Sequence, residues 1–233
     1  MKRTFLKAAA LLAFAATTAT VFAQAPAAPP GGRAPGAGAP AAGGPPAGAP
    51  RPPPMFVESK AFADGGVVPL KFSFYGTNTL PDFKINNVPA TAQSIAIIFH
   101  DLDVAAGGNP DDNLHWLAWN IPVTGPVTQI EEGKLPDTAV NGRCRTYMGM
   151  GAPNGPKYNH YVFEFYALNA KLELPPTPGG RPELLEAMKG KVVGKAAYVG
   201  RFRNDTDAAR PAAGAPVPAG PGCPAPAAAP AAR

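Results

Sequence analysis

The sequence predicts a mainly β fold, an antiparallel sandwich-like domain with one helix near its C-terminal end. Five or six apolar or alternating segments, separated by clusters of Gly, Pro, Asn and Asp, have the pattern of β-strands. Only one segment carries helix start and stop signals. Several strands with so little helix indicate sheets packed face to face.

The domain organisation follows from composition. Residues 1–23 begin with a basic segment, continue with an apolar run too short to span a bilayer, and end in small residues. This pattern predicts a secretory signal peptide cleaved after Ala23. Residues 24–54 and 204–233 are rich in Pro, Ala and Gly, which predicts a disordered linker and a disordered tail. A single folded domain is therefore expected over residues 55–203. We expect a periplasmic or secreted protein without a transmembrane segment after cleavage.

Charge and cysteine content limit the function classes. The whole chain has 21 Lys and Arg against 16 Asp and Glu, but residues 55–203 hold 14 of each, so the predicted domain is neutral. A neutral domain argues against a nucleic-acid binder, which needs a basic face. Cys144 lies in the domain and Cys223 in the tail. They form either a bridge that tethers the tail or two unpaired thiols, and the sequence leaves both open.

The first half of the predicted domain contains two strands and two shorter segments. The run Phe56–Phe62 ends at a glycine turn, and Val67–Phe74 alternates as a strand with one buried face. Phe83–Ile85 is a short extended piece, and Gln93–His100 is an apolar strand.

The second half contains three more strands and the helix. His115–Ile121 and Val192–Phe202 have strand patterns, and Tyr158–Leu168 is the strongest strand because aromatic residues are dense in it. Residues 125–141 are polar, and we expect them to be irregular. Arg181–Gly190 has Pro in its first turn, Glu early, Lys late and Gly at its end, which predicts a helix.

Strict alternation along the strand that begins at His115 makes a further prediction. One face should contain His115, Leu117, Trp119 and Ile121. The other face should contain Trp116, Ala118 and Asn120.

Candidate site residues gather at the ends of two of these strands. Asp101 and Asp103 are two residues apart, so an extended backbone points both carboxylates to one side. His100 then faces the other side, as a core or edge histidine. His115 opens the next strand. Turn chemistry also explains an Asp in a loop, and this alternative stays open.

A glycine-rich stretch precedes the aromatic strand. Small residues at Gly149–Gly155 allow backbone N–H groups to approach a ligand closely and to bind an anion. Any tight loop has a similar composition, so this signal is weak alone. For His160, within the apolar strand, the ordinary alternative is a partly buried histidine without a role.

These segments together resemble the phosphatidylethanolamine-binding protein family, in its bacterial branch related to Raf kinase inhibitor protein. The resemblance rests on the order of DLD, HWLAWNIP, YMGMGAPNG, NHYVFEFYAL and MKGKVVGKAAYVGRF, and covers nearly all of residues 55–202. It implies a two-sheet antiparallel β fold with a short C-terminal helix and a small pocket for phosphate-type anions.

The resemblance also implies a set of pocket residues. By position these are Asp101, Asp103, His115, Gly149, Gly151, Asn159, His160 and Tyr161. Several positions depart from the family pattern. Leu102, Met150 and Ala152 replace prolines, Asn159 replaces a second pocket histidine, and His160 replaces an arginine. We therefore expect an altered pocket.

The expected function is binding of a small phosphate-bearing anion, such as a phospholipid head group, by loop N–H groups and a protonated His115. A neighbouring Asp would favour the charged histidine. The alternative is a protein-interaction or inhibitor module. A metal-dependent hydrolase is less favoured, since no HExxH, nucleophile elbow or Walker loop is present. We expect no enzymatic activity, no catalytic residue, no metal site, no cofactor and no nucleic-acid partner.

Overall fold

The computed structural model describes residues 53–177, 180–206 and Cys223. The predicted signal peptide, the linker up to residue 52 and the tail from residue 207, except Cys223, lie outside the described residues. No described helix is both long and apolar enough to cross a membrane.

The described residues form nine strands, one α-helix and short 3-10 turns. The strands are β1 (Phe56–Glu58), β2 (Gly66–Val67), β3 (Phe83–Asn86), β4 (Ser94–Ala105), β5 (Asp112–Pro122), β6 (Val127–Ile130), β7 (Val140–Asn141), β8 (Asn159–Leu168) and β9 (Val192–Phe202). The helix α1 (Arg181–Met188) lies between β8 and β9 in the chain. Strands β3, β4, β5, β8 and β9 and the helix were predicted, with small differences in their ends.

Two sheets form the domain. The smaller has the strand order β1-β3-β6 and the larger the order β2-β9-β8-β4-β5-β7. All strand pairs are antiparallel except β2 with β9, which is parallel. The predicted mainly β fold with two sheets and a short C-terminal helix is therefore confirmed, with one parallel pair at an edge.

The segment Ile95–Phe99 of strand β4 is continuously apolar because both of its faces are covered. Ile95, Ile97 and Phe99 belong to the core between the two sheets. Ala96 and Ile98 belong to a second cluster, which includes Leu184 and Met188 of α1. A strand buried on both faces shows a continuous apolar run instead of alternation.

The predicted strand Val67–Phe74 is wrong beyond its first residue. Strand β2 ends at Val67, and Leu70–Phe72 form a 3-10 turn. Pro69 has no N–H to donate to a neighbouring strand, and the Ser73 hydroxyl donates to the Leu70 carbonyl at 2.7 Å, which closes the turn. The alternation in the sequence reflected which side chains are buried, but local hydrogen bonds determined the backbone conformation.

The two predicted faces of β5 are correct between Trp116 and Trp119 but wrong for His115 and Ile121, because two β-bulges interrupt the strand. Phe99 pairs with Trp116 and His100 with Leu114, so His115 is an extra residue opposite β4. A second extra residue follows Ala118, where Asn120 has a left-handed φ of 59°.

The bulges redistribute the side chains. Trp116, Ala118 and Ile121 lie in the core between the sheets. Leu117 and Trp119 lie in the cluster under α1. Each bulge shifts the alternation by one residue, so positions separated by a bulge exchange faces.

Residues 125–141, expected to be irregular, contain β6 and β7. Both are short edge strands of four and two residues. In β6, Thr128 and Ile130 are buried, whereas Val127 and Gln129 are exposed. Segments this short give too few alternations for a sequence pattern.

Cys144 and Cys223 form a disulfide with a Cα–Cα distance of 5.5 Å. Of the two alternatives left open by the sequence, the structure shows the bridge that tethers the tail. The bridge joins the tail to a short turn at Gly142–Cys144, directly after β7.

Candidate ligand-binding site

Four buried polar side chains meet at one end of the larger sheet, on its inner face. Asp101 comes from β4, His115 from β5, and Asn159 and Tyr161 from β8. The β4–β8 register places Asp101 opposite Tyr161. We call these four residues the inner cluster.

The Asp101 carboxylate is the centre of the inner cluster. Oδ1 accepts the backbone N–H of Asp103 at 2.9 Å, and Oδ2 accepts the side-chain amide of Asn159 at 2.9 Å. The Tyr161 hydroxyl is its third donor. Burial raises the pKa of Tyr161, and the charge and hydrogen bond of Asp101 raise it further, so this phenol stays protonated.

The glycine-rich loop turns its N–H groups toward the protein. Gly151 and Ala152 both donate to the Tyr161 hydroxyl, at 3.2 and 3.0 Å. Gly149 donates to Oδ1 of Asn78 at 2.7 Å. The expectation that these groups bind an anion is therefore not met by their geometry. A Cβ at Gly149 would lie 2.2 Å from the carbonyl oxygen of Phe72, so close backbone approach explains this glycine.

Two hydrogen bonds assign the tautomer of His115. Its Nδ1 lies 3.0 Å from the carbonyl oxygen of Gly149 and 3.3 Å from that of Met148. Carbonyl oxygens only accept, so Nδ1 carries a proton. Nε2 accepts the amide of Asn113 at 3.1 Å. In this arrangement Nδ1 is the donor and Nε2 the acceptor of the His115 ring.

Asp103 and His160 lie together at the rim. The backbone N–H and Nδ1 of His160 are 2.6 and 2.9 Å from Oδ2 of Asp103. Burial acts to raise the pKa of Asp103, but the hydrogen bonds and charge of His160 and the charge of Lys157 outweigh it and lower that pKa. The two predicted carboxylates therefore accept hydrogen bonds in different places. Asp101 is buried in the inner cluster, and Asp103 binds His160 at the surface.

His100 lies on the opposite face of the sheet, as expected. Its Nδ1 is 2.5 Å from Oδ2 of Asp112, and its Nε2 is 3.6 Å from Glu164. Arg181 forms an ion pair with Asp112, and Lys195 forms one with Glu164 at 2.7 Å. We call these five residues the outer cluster.

Sequence reasoning missed two residues that hold the inner cluster. Asn113 precedes His115 by two residues and contacts its Nε2, a spacing that alternation along a strand could have indicated. Asn78 also donates to the Tyr147 carbonyl at 2.9 Å. It is 71 residues from Gly149, and no local pattern signals that pairing.

The other departures from the family pattern fall in different environments. Leu102 is exposed, whereas Met150 and Ala152 are buried in the core between the sheets. Among the described residues, no group of three or more His, Cys, Asp or Glu side chains is placed to hold a metal ion.

Comparisons with known proteins agree on one family. Residues 58–203 match the family model of phosphatidylethanolamine-binding protein. A UPF0098 protein of Methanothermobacter thermautotrophicus is 34% identical over 156 residues, which are 64% of this chain and 99% of that protein. LppC of Mycobacterium tuberculosis, whose name proposes a lipoprotein, is 31% identical over 158 residues, 66% of this chain and 74% of that protein.

Solved structures show the same fold. A Chlamydia trachomatis protein described as a homologue of phosphatidylethanolamine-binding proteins superposes with a TM-score of 0.57 at 27% identity. The match covers 65% of this chain and 99% of that protein. YbcL of E. coli has a TM-score of 0.56 at 24% identity, covering 64% and 98%, which supports the fold alone.

Proposed function

We propose a function from one premise, which is that this chain belongs to the phosphatidylethanolamine-binding protein family. The chain is an exported binding module, not an enzyme, and its inner cluster binds a small phosphate-bearing anion such as a phospholipid head group. The relative whose name proposes a lipoprotein supports export.

One observation carries this proposal. Asp101 is buried, yet none of the described cationic side chains forms an ion pair with it. Its charge is held by neutral donors from Asp103, Asn159 and Tyr161. An uncompensated buried carboxylate is costly. Such groups concentrate at functional sites because they control the protonation of a neighbour or a ligand.

The histidine of the inner cluster is His115, whose ring packs edge-on against Tyr161 with ring centroids 5.3 Å apart. A phosphate oxygen that approaches Nε2 needs a donor, so anion binding adds a proton to this imidazole. Asp101 supplies negative charge that favours the imidazolium. The Asn113 amide, which contacts the same nitrogen, is positioned to turn one N–H toward the anion. The module therefore binds an anion together with a proton, and affinity increases as pH falls through the titration of His115.

The test is an NMR titration of the chain from residue 24 to 233 with phosphoethanolamine and with phosphate, in the presence of a chelator. We expect saturable shifts at Asn113, His115 and Asn159, and a ¹⁵N shift of His115 Nε2 from acceptor to protonated. His115→Gln should abolish these shifts. His100→Gln removes the histidine of the outer cluster and is the matched control, with melting temperatures checked for both variants.

Three results would contradict the proposal. Shifts that require added zinc would favour the hydrolase alternative. Equal binding by His115→Gln and wild type would show that the inner cluster does not bind the anion. An absence of shifts with either ligand would favour the protein-interaction alternative, for which Leu102 and Val104 offer apolar surface at 54% and 40% exposure near the end of β4.

A further inference from the structure

A cavity next to the inner cluster lies where β5 and α1 begin, and Asn113, which contacts His115, is part of its lining. Its volume is about 720 Å³, within the range of small-molecule sites. The side chains that matter are Asp111, Asp112, Leu114, Arg143, Arg181 and Leu185. We call it the helix-side cavity.

One wall of the helix-side cavity is a fixed ion pair. The Arg181 guanidinium donates to Oδ1 of Asp112, and Oδ2 of Asp112 faces the ring of buried His100. The carboxylate is therefore engaged on both oxygens. Because Asp112 is held from inside, it fixes the direction of the arginine, which keeps further N–H donors for a ligand.

The other walls carry one charge of each sign. The side chains of Arg143 and Asp111 are exposed, and neither makes a hydrogen bond or ion pair with any residue of the described ranges. The backbone of Arg143 is fixed in a left-handed conformation, φ 56°, and its N–H donates to the Pro176 carbonyl at 2.7 Å. The disulfide of Cys144 follows directly.

The apolar surface of the helix-side cavity comes from β5 and from α1. Leu185 of α1 is 43% exposed, and Leu114 of β5 packs against the cluster under the helix. The cavity thus combines apolar surface with an unpaired cation, an unpaired anion and a closed ion pair.

We propose that the helix-side cavity binds a small zwitterion with an apolar side chain, of the amino-acid or short-peptide class. The ligand carboxylate lies against Arg143 and the remaining donors of Arg181. The ligand ammonium lies against Asp111, and the apolar side chain covers Leu114 and Leu185. A simple anion would face two aspartates and a simple cation two arginines, so a ligand with both charges is preferred.

The test uses glycyl-L-leucine with the chain from residue 24 to 233, followed by calorimetry and by NMR. We expect saturable binding that Arg143→Gln weakens about tenfold, the effect of one charged hydrogen bond at a partly exposed site. Arg145→Gln removes an exposed arginine of the same turn that does not line the cavity, and it is the matched control.

Ligand variants test each contact separately. N-acetyl-glycyl-L-leucine lacks the ammonium, so it should bind weakly to wild type, and Asp111→Asn should cost it nothing further. Glycyl-L-leucinamide lacks the carboxylate, so it should bind weakly to wild type, and Arg143→Gln should not weaken its binding further. Absent binding of glycyl-L-leucine, or equal loss in Arg143→Gln and Arg145→Gln, would overturn the proposal. His115→Gln tests whether the two sites are separate, because Asn113 both lines this cavity and contacts His115. We expect unchanged binding of glycyl-L-leucine in this variant, and a loss would overturn the proposal by placing the ligand at the inner cluster.

Discussion

The inner and outer clusters each contain a buried histidine and a carboxylate, on opposite faces of the same two strands. In the outer cluster, His100 lies near Asp112 and Glu164, and each carboxylate is paired with a cation, Arg181 or Lys195. In the inner cluster, none of the described cations pairs with the carboxylate, and neutral donors hold it. The carboxylates of the outer cluster are neutralised by cations of the same cluster. The Asp101 carboxylate of the inner cluster is not, so its charge is available to interact with a ligand or a proton.

The difference shows that residue types alone do not identify a site. Both clusters contain a buried histidine and an aspartate, but a direct contact between the two is seen only in the outer cluster, from His100 to Asp112. What distinguishes them is compensation of charge. Both carboxylates of the outer cluster have cationic partners, although His100 Nε2 is buried without a hydrogen-bond partner among the described residues. The inner carboxylate has no such partner, and groups of this kind concentrate at functional sites. Four predictions test this distinction between the inner and outer clusters.

The largest effect is expected at Asp101. Asp101→Ala removes the acceptor of three donors and should lower the free energy of unfolding by about 3 kcal/mol, since buried donors would lose their partner. Urea denaturation measures this loss. Asp101→Asn keeps the size and should lose less. A loss below about 1 kcal/mol in Asp101→Ala would show that water replaces the carboxylate easily.

The next effect concerns the link between the inner cluster and the glycine-rich loop. Tyr161→Phe removes the hydroxyl that accepts from Gly151 and Ala152 and donates to Asp101. We expect a loss of about 2 kcal/mol in unfolding free energy. Faster hydrogen exchange should be confined to the amides of Gly151 and Ala152. Tyr166→Phe, on the helix side of the same strand, is the control and should leave both amides unchanged.

The outer cluster should respond less. Glu164→Gln removes one carboxylate near His100 and leaves Lys195, whose side chain is half exposed, free to reach water. We expect a loss of at most about 1 kcal/mol by urea denaturation, because an exposed partner is rehydrated. A loss equal to that of Asp101→Ala would contradict the distinction between the two clusters.

The smallest effect depends on pH. The pKa of Asp103 is lowered below its ordinary value of 3.8, so its interaction with His160 stabilises the fold above that pH. This contribution is lost as pH falls through the lowered pKa. The difference in unfolding free energy between wild type and Asp103→Asn should therefore be present near pH 6 and vanish near about pH 2. Asp111→Asn removes a carboxylate without a described partner and should show no such change.

Much of the fold was predictable from local patterns. The apolar run of β4 and the aromatic run of β8 indicated central strands, and α1 carried its own start and stop signals. The errors have identifiable causes. Residues 67–74 were assigned from burial alone, and residues 125–141 contain strands too short to alternate.

The candidate site was predictable only as a set of residues. Asp101, His115, Asn159 and Tyr161 do come together, while Asp103 and His160 form a separate pair at the rim. The loop N–H groups point inward, although the composition suggested the opposite. A sequence names the donors and acceptors, but it does not show which of them already have partners.

The amino-acid sequence was sufficient to establish the fold class and the positions of the long strands and the helix, because these depend on patterns within short segments. It was also sufficient to establish the family, because that depends on the order of motifs. Only the tertiary structure decided the two bulges of β5, the donor and acceptor roles of the His115 nitrogens and the Cys144–Cys223 bridge. Each of these depends on contacts between residues distant in the chain. Such contacts exist only after the sheets have packed, so their partners cannot be derived from local spacing.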